Sequence, residues 1–333
     1  MSRRVRIRTA SAAVTLGMIA TLTACGGTTG ASNVAATSSG GTTNITVGTS
    51  GQLSNVDVFL GLGEGIFAKA GLEVTTQTLT AGSTAIPLLL QGTMQFATVD
   101  LATAITATQQ NVGVTAVAPN NVGVPGDIGY AGVIASPQSG ITALRDLEGK
   151  SLQVNQLNGT AAVLVKATMK KAGLDPSKVE FVEIPPPQAL AALQAGRVDA
   201  AVLSEPNVAA ALAAGMKYIV NPEKDTIPNL PAFVFVASKA YVAQHPMVVK
   251  AFTAAVLAAN KQTNADTALA RKTAEKSTQL SAELLAKVTF PKFGEQALTA
   301  DHIQAYQDLL VQHGGLSGPA PSPDSVFTDT TGR

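Results

Sequence analysis

The run Lys69-Ala70-Gly71-Leu72 returns as Lys171-Ala172-Gly173-Leu174, and Gly92-Thr93-Met94-Gln95-Phe96-Ala97 returns in pattern as Gly196-Arg197-Val198-Asp199-Ala200-Ala201. From first to last glycine the two copies measure 21 and 23 residues, so one structural unit of nearly fixed length is used twice. In the first copy an apolar, β-branched run from Ile45 to Thr49 reads as a strand. The loop Ser50 to Asn55 follows, then an apolar-periodic helix that ends near Lys69, with Gly71 as its stop. Leu72 to Leu79 is a second strand, Thr84 to Leu90 a short helix with Pro87 in its first turn and Gly92 as its stop, and Phe96 to Val99 a third strand. The second copy gives strands at Leu152 to Asn155, Val179 to Ile184 and Ala200 to Leu203, with helices from Ala161 to Ala172 and from Pro187 to Ala195. Strands separated by helices of this length pair in parallel through right-handed crossovers. The expected fold class is α/β with two lobes, each an open sheet. Ligands bind beyond the carboxyl ends of such strands, so the expected site is the cleft between the lobes.

Phe233 to Ala237 reads as one more strand, and the chain beyond Ser238 reads as helical, closed by Gly314 and Gly315. From Pro319 onward Pro, Ser, Asp and Thr dominate, which predicts a disordered tail over 319–333.

The N-terminus carries a different message. Arg3, Arg4, Arg6 and Arg8 precede a short apolar run from Ala12 to Leu22, the pattern of an export signal too short to span a membrane. The run ends in Leu22-Thr23-Ala24-Cys25, which resembles a bacterial lipobox: residues 1–24 are expected to be removed and Cys25, the only cysteine, to carry lipid. Gly26 to Thr43 is built almost wholly of Gly, Ser, Thr, Ala and Asn, so residues 25–43 read as a flexible tether. Cleavage would remove four of 23 basic side chains against 22 acidic ones and turn the net charge from +1 to −3. Lys and Arg are scattered with no basic stripe, which excludes a nucleic-acid partner. The expected location is the outer face of a bacterial cell membrane, reached through the lipid anchor alone.

Several stretches together resemble a known family, the periplasmic solute-binding proteins of the sulfonate, nitrate, taurine and thiamine-precursor type that feed ABC importers. They are Gly65-Ile66-Phe67-Ala68-Lys69-Ala70-Gly71-Leu72-Glu73-Val74, Ala81-Gly82-Ser83, Ile141 to Lys150, Gly196-Arg197-Val198-Asp199-Ala200, Glu205-Pro206 and Leu298 to Leu310. Gln95 departs from the pattern, standing where the family usually has aspartate. The resemblance implies a two-lobe, type II binding-protein fold in which the chain crosses between lobes twice, near Val133 to Ser136 and near Pro231 to Val236. It places lobe one at 44–134 and 233–318, with lobe two at 135–232. A monomer with a small-molecule solute, an ABC permease and an ATPase as partners is the expected assembly. Presentation of the solute to a membrane sensor is the alternative.

Candidate ligand-binding residues follow from the strand ends. Gln52 and Asn55 lie in the first loop, and Ser83 and Thr84 open the second helix with two hydroxyls. Asn158 and Thr160 repeat that chemistry in the other copy. Helix capping is the competing role for each, and above all for Asp100. Glu205 offers a carboxylate after the last strand of the second copy, Tyr130 a flat ring near the first crossing, and Pro185 a fixed backbone at a strand end. Enzymes of the same fold use a cysteine nucleophile or a set of histidines with a cysteine-rich motif. Here Cys25 lies outside the folded body, and His245, His302 and His313 are dispersed over the C-terminal helices, so neither catalysis, a metal nor a cofactor is expected.

Overall fold

The structure, a computed structural model, describes residues 41–50, 53–80 and 82–330. The expected leader, Cys25, most of the tether and Gln52 lie outside the described residues. All described residues belong to one compact unit.

The chain runs through β1 (Thr43–Thr49), α1 (Val56–Gly63), α2 (Ile66–Lys69), β2 (Leu72–Thr78), α3 (Ala85–Leu90), β3 (Phe96–Asp100), α4 (Leu101–Gln109), β4 (Val114–Pro119) and the short β5 (Asn121–Val122). A second set follows: β6 (Ala131–Ala135), β7 (Ser151–Val154), α5 (Thr160–Lys171), β8 (Glu180–Glu183), α6 (Pro186–Gln194), β9 (Ala200–Ser204), α7 (Asn207–Ala213) and β10 (Lys217–Val220). The remainder is β11 (Phe233–Ser238), α8 (Lys239–Gln244), α9 (Pro246–Ala265), α10 (Thr267–Ser277), α11 (Ala282–Lys287), β12 (Lys292–Phe293), α12 (Ala300–Gln312) and α13 (Pro323–Val326). Among the described residues no helix is long and apolar enough to cross a membrane.

Two five-stranded sheets share one plan, β2-β1-β3-β11-β4 in the first lobe and β8-β7-β9-β6-β10 in the second. The three strands of each repeated module pair in parallel, with Val47 opposite Phe96 in one sheet and Leu152 opposite Ala200 in the other. The glycines that ended the helices in the sequence do so in the fold. Gly71 and Gly173 both take φ +74° and donate to carbonyls three residues back, a left-handed cap that a side chain would strain.

The parallel pairing expected within each module is found, and the structure adds to it. Each sheet takes in one antiparallel strand, β11 against β3 and β6 against β9, and each is the strand on which the chain arrives after crossing from the other lobe. Such a strand enters from the opposite direction, so its polarity is fixed by the crossing and not by the local helix-strand rhythm. Because β6 starts at Ala131 and already belongs to the second sheet, the first crossing precedes residue 131 and does not fall at Val133 to Ser136.

Gln95, the departure from the family pattern, has a structural task. Its Oε1 accepts the Thr46 N–H at 2.7 Å and its Nε2 donates to Gly92 O at 2.8 Å. In the second lobe the Asp199 carboxylate accepts the Ser151 N–H at 2.9 Å and the Ser151 hydroxyl at 2.8 Å. Both side chains catch the first strand of their module, one as an amide and one as a carboxylate, away from the cleft.

Two other expectations fail. The tail does not run free up to residue 330: Val326 is fully buried, Thr328 N donates to Ala116 O, and Gln307 Nε2 donates to Pro321 O at 2.9 Å. A few apolar residues, Val326 and Phe327, find a groove beside β4 that composition could not reveal. Nor is the chain beyond Ser238 wholly helical, since β12 pairs antiparallel with β5.

The first lobe's sheet is held to α9 by an aromatic core. Phe252 stacks on Phe96 with centroids 3.7 Å apart and meets Phe235 edge-on at 5.5 Å. Rings so buried dominate core energetics, and truncating one costs about 3–5 kcal/mol.

Candidate functional site

The carboxyl ends of both sets of parallel strands face each other, and the loops there are tied down from within. At the end of β1 the Asn55 side chain is fully buried; its Oδ1 accepts the Ser50 N–H at 2.9 Å and the Ser50 hydroxyl at 2.8 Å, while its Nδ2 donates to Thr98 Oγ1 at 2.8 Å. Asn55 therefore splices the first loop to β3. Gly82 packs against the same strand: an added Cβ would stand 3.1 Å from Val99 Cα and 3.3 Å from Thr98 O. That close approach sets Ser83 and Thr84 beside the end of β3, where both are exposed.

The centre of the site is a hydrogen-bonded chain across the lobes. Asp100 ends β3 and caps α4, with Oδ1 accepting Thr103 N at 3.0 Å and Oδ2 accepting the Thr103 hydroxyl at 2.6 Å. Thr160, the first residue of α5 in the other lobe, donates its hydroxyl to Asp100 Oδ1 at 3.1 Å and accepts from the Tyr306 hydroxyl at 2.8 Å. A carboxylate is acceptor-only, so the direction of both bonds follows: the Thr160 proton goes to Asp100 and the Tyr306 proton to Thr160. Tyr306 is fully buried, which pushes its phenol well above the ordinary tyrosine range. Apolar packing continues the contact, with Val163 and Leu164 of α5 in one cluster with Ile303 and Leu310 of α12.

A second tie lies on the far side. Tyr130 is 9% exposed and packs with Leu53 and Val56 of the first lobe and Ala209 of the second. Its hydroxyl bonds to Ser54 and Ser204, and burial pushes its pKa up to about 12. Its carbonyl accepts Glu205 N at 2.9 Å. Glu205 is 2% exposed; Oε2 accepts Ala209 N at 2.9 Å, capping α7, and Oε1 accepts Thr289 N at 3.0 Å from the C-terminal region. Desolvation raises its pKa, opposed by these two N–H groups.

The structure thus draws Asp100 with Thr160, and Tyr130 with Glu205, into two interlobe ties, and uses Asn55 inside one wall. Asn158 and Pro185 are exposed on the loops after β7 and β8, and Pro185 is the N-cap of α6. Sequence reading missed Tyr306, Thr289, Ser54 and Ser204, all of which become partners only through folding. It also missed a buried polar group behind the site, where Asn120 Nδ2 donates to Asp57 Oδ2 at 3.1 Å and both residues are fully buried. Burial pushes Asp57 up to about 7. The Asn120-Asn121 dipeptide between two apolar strands was the available signal. A groove of about 600 Å³ exists elsewhere, between the end of α4 and the C-terminal segment, lined by Thr108, Asn111, Lys239, Ser317 and Pro321. It lies away from the strand ends and lacks convergent buried polar groups. Among the described residues no three His, Cys, Asp or Glu side chains gather as a metal site requires.

Comparison with known proteins gives the family and the fold. The sequence model described as NMT1/THI5 like matches residues 56–268. The taurine-binding periplasmic protein of Escherichia coli (strain K12) is 34% identical over 122 residues, covering 36% of this chain and 38% of that protein, so the match spans well under half of the relative. The chain is similar in fold to the alkanesulfonate-binding protein SsuA from Xanthomonas axonopodis pv. citri bound to MOPS, with TM-score 0.70 at 19% identity over 85% of this chain and 97% of that one. It is also similar to the periplasmic nitrate-binding protein NrtA from Synechocystis PCC 6803, with TM-score 0.67 at 16% identity over 86% and 85% of the chains.

Proposed function

Because this chain belongs to the NMT1/THI5-like family, we propose that it is the extracytoplasmic solute-binding subunit of an ABC importer, which captures a small organic solute between its lobes and catalyses nothing. The observation that carries this reading is the chain Tyr306 to Thr160 to Asp100, which joins the two sets of strand ends where ligands of such sheets sit. Closure is a population shift, and a solute drives it only by binding the closed arrangement more tightly than the open one. Residues of both walls, Ser83, Thr84 and Asp100 on one side and Asn158, Thr160 and Pro185 on the other, supply that difference. Tyr130 forms the floor. Gln52, three positions before Asn55 in the sequence, remains a candidate on sequence grounds. The solute classes that the family resemblance brings forward are sulfonates and thiamine-precursor pyrimidines.

The Leu22 to Cys25 motif supports export and a lipid anchor at Cys25, which would hold the lobes near the membrane on a tether of about 18 residues. A permease and an ATPase are the matching partners.

The test is a thermal-shift screen of the whole mature chain with Cys25→Ser, which keeps it free of lipid. Solute at about 100 times its dissociation constant adds roughly 2.7 kcal/mol of stability. Failure of every small solute to stabilise the chain would overturn the reading. The same substitution is expected to release the protein from the membrane fraction of cells.

A further inference from the structure

Helix α5 is 12 residues long and its N-cap is Gly159, which has no side chain to satisfy the first N–H groups. The start of such a helix favours negative charge. In this protein the charge that meets it comes from the other lobe, because Asp100 Oδ1 takes the Thr160 hydroxyl proton. The same carboxylate caps α4. One side chain therefore supplies the anion for two helix starts at once.

That arrangement has consequences for what can bind. Thr160 has given its proton to Asp100 and receives one from Tyr306, so its hydroxyl has no donor left for a solute oxygen. The four ion pairs among the described residues join Lys171 to Asp225, Lys178 to Glu148, Lys224 to Asp127 and Lys287 to Glu283. None of them neutralises Asp100 or Glu205, whose hydrogen-bond partners are backbone N–H groups and hydroxyls. An oxyanion entering between the lobes meets a carboxylate that no side-chain cation pairs with, already standing where the oxyanion would seek a helix start. A donor meets acceptors.

We propose that the end of the solute read at Asp100 is a hydrogen-bond-donating organic cation, an ammonium or amidinium, and that Asp100 is the residue that selects it over sulfonate or nitrate. The proposal rests on the cleft being a solute site and narrows its substrate class. A cation replaces the Thr160 hydroxyl as Asp100's interlobe partner with a charge-assisted bond, which is the stronger of the two. Thr160 is then free to turn its proton elsewhere.

The experiment uses the mature chain carrying Cys25→Ser and matched flat probes that differ in charge: benzamidinium and benzylammonium against benzenesulfonate, with nitrate as the small anion. Thermal shift ranks them and titration calorimetry gives affinities. Asp100→Asn retains a good N-cap for α4 while removing the charge. The expected result is that the cations stabilise the wild type and the anions do not, and that Asp100→Asn weakens cation binding about tenfold to a hundredfold and lets benzenesulfonate bind. If benzenesulfonate or nitrate binds the wild type more tightly than either cation, or if Asp100→Asn leaves cation affinity unchanged, the proposal is overturned while the binding function stands. If none of the probes binds and the wider solute screen also finds nothing, both fall together; a hit in that screen whose bound end is an oxyanion overturns only the proposal. Should Asp100→Asn fail to fold, the order of cations and anions on the wild type decides alone.

Discussion

The Tyr306 hydroxyl donates to the Thr160 hydroxyl at 2.8 Å, across 146 positions of sequence. It joins α12 of the first lobe to the start of α5 in the second, and it fixes which way the Thr160 proton can point. Removing it by Tyr306→Phe keeps the ring in its buried place but leaves Thr160 an acceptor without a donor. The folded chain should lose about 1–2 kcal/mol. Small-angle scattering of the ligand-free variant should show a larger radius than the wild type, because one interlobe tie is gone. An unchanged radius and midpoint would mean the bond is not part of closure.

Glu205 uses both carboxylate oxygens on backbone N–H groups, Ala209 and Thr289. Glu205→Ala strands both donors in a buried place, at roughly 2–4 kcal/mol. Glu205→Gln keeps one acceptor and turns an NH₂ towards the other N–H, so it should fall between Ala and wild type. Urea midpoints of the three proteins check the order.

Asp57 is buried with no charged side chain among the causes of its shift, and its pKa is pushed from 3.8 up to about 7. The folded state therefore holds a proton that the unfolded chain has released between about pH 4 and pH 7. Stability is greatest on the acid side of this window and falls as pH rises through it, by about 1.4 kcal/mol per unit for this group. A neutral carboxyl also accounts for the leftover atoms. Asp57 Oδ1 and Asn120 Oδ1 have no hydrogen-bond partner as placed, and a protonated Oδ1 would donate from one to the other. Asp57→Asn removes the proton and should flatten this part of the stability-pH curve. Glu223, also raised to about 7 by burial, adds a slope of the same sign, so the variant is expected to halve the dependence and not to abolish it.

Two segments carry the chain between lobes, and they touch at Gly123. A Cβ there would lie 2.2 Å from Ile227 O, and Gly123 N donates to Leu230 O while its carbonyl accepts Asn229 N. Gly123→Ala must push the segments apart at a cost of about 1–3 kcal/mol. Its effect should appear as a lower unfolding midpoint and, if the proposed closure turns on these segments, as a weaker solute-induced shift. Wild-type values for both would show that the segments can part without penalty.

What the sequence made legible was local. Gly71 and Gly173 end helices through hydrogen bonds to carbonyls three residues back, so their repetition could be read without knowing the fold, and with it the module used twice. Asp100 could be read as a cap for the same reason, since its Thr103 partner is three residues on. Segments with an obvious period gave their type, and the crossing of helix and strand gave two sheets with a cleft at their carboxyl ends.

Tertiary structure alone decided the rest. The polarity of β6 and β11 depends on where the chain crosses between lobes, and the burial of Val326 depends on a groove formed by a strand some 200 residues earlier. Sequence offered Thr160 as a hydroxyl donor for a solute, because a hydroxyl at a helix start reads that way when its neighbours are unknown. Folding brought it a carboxylate from 60 positions away and a phenol from 146, and those two partners consumed its proton. Hydrogen-bonding capacity is set by composition, whereas its direction is set by whichever groups the fold brings within about 3 Å.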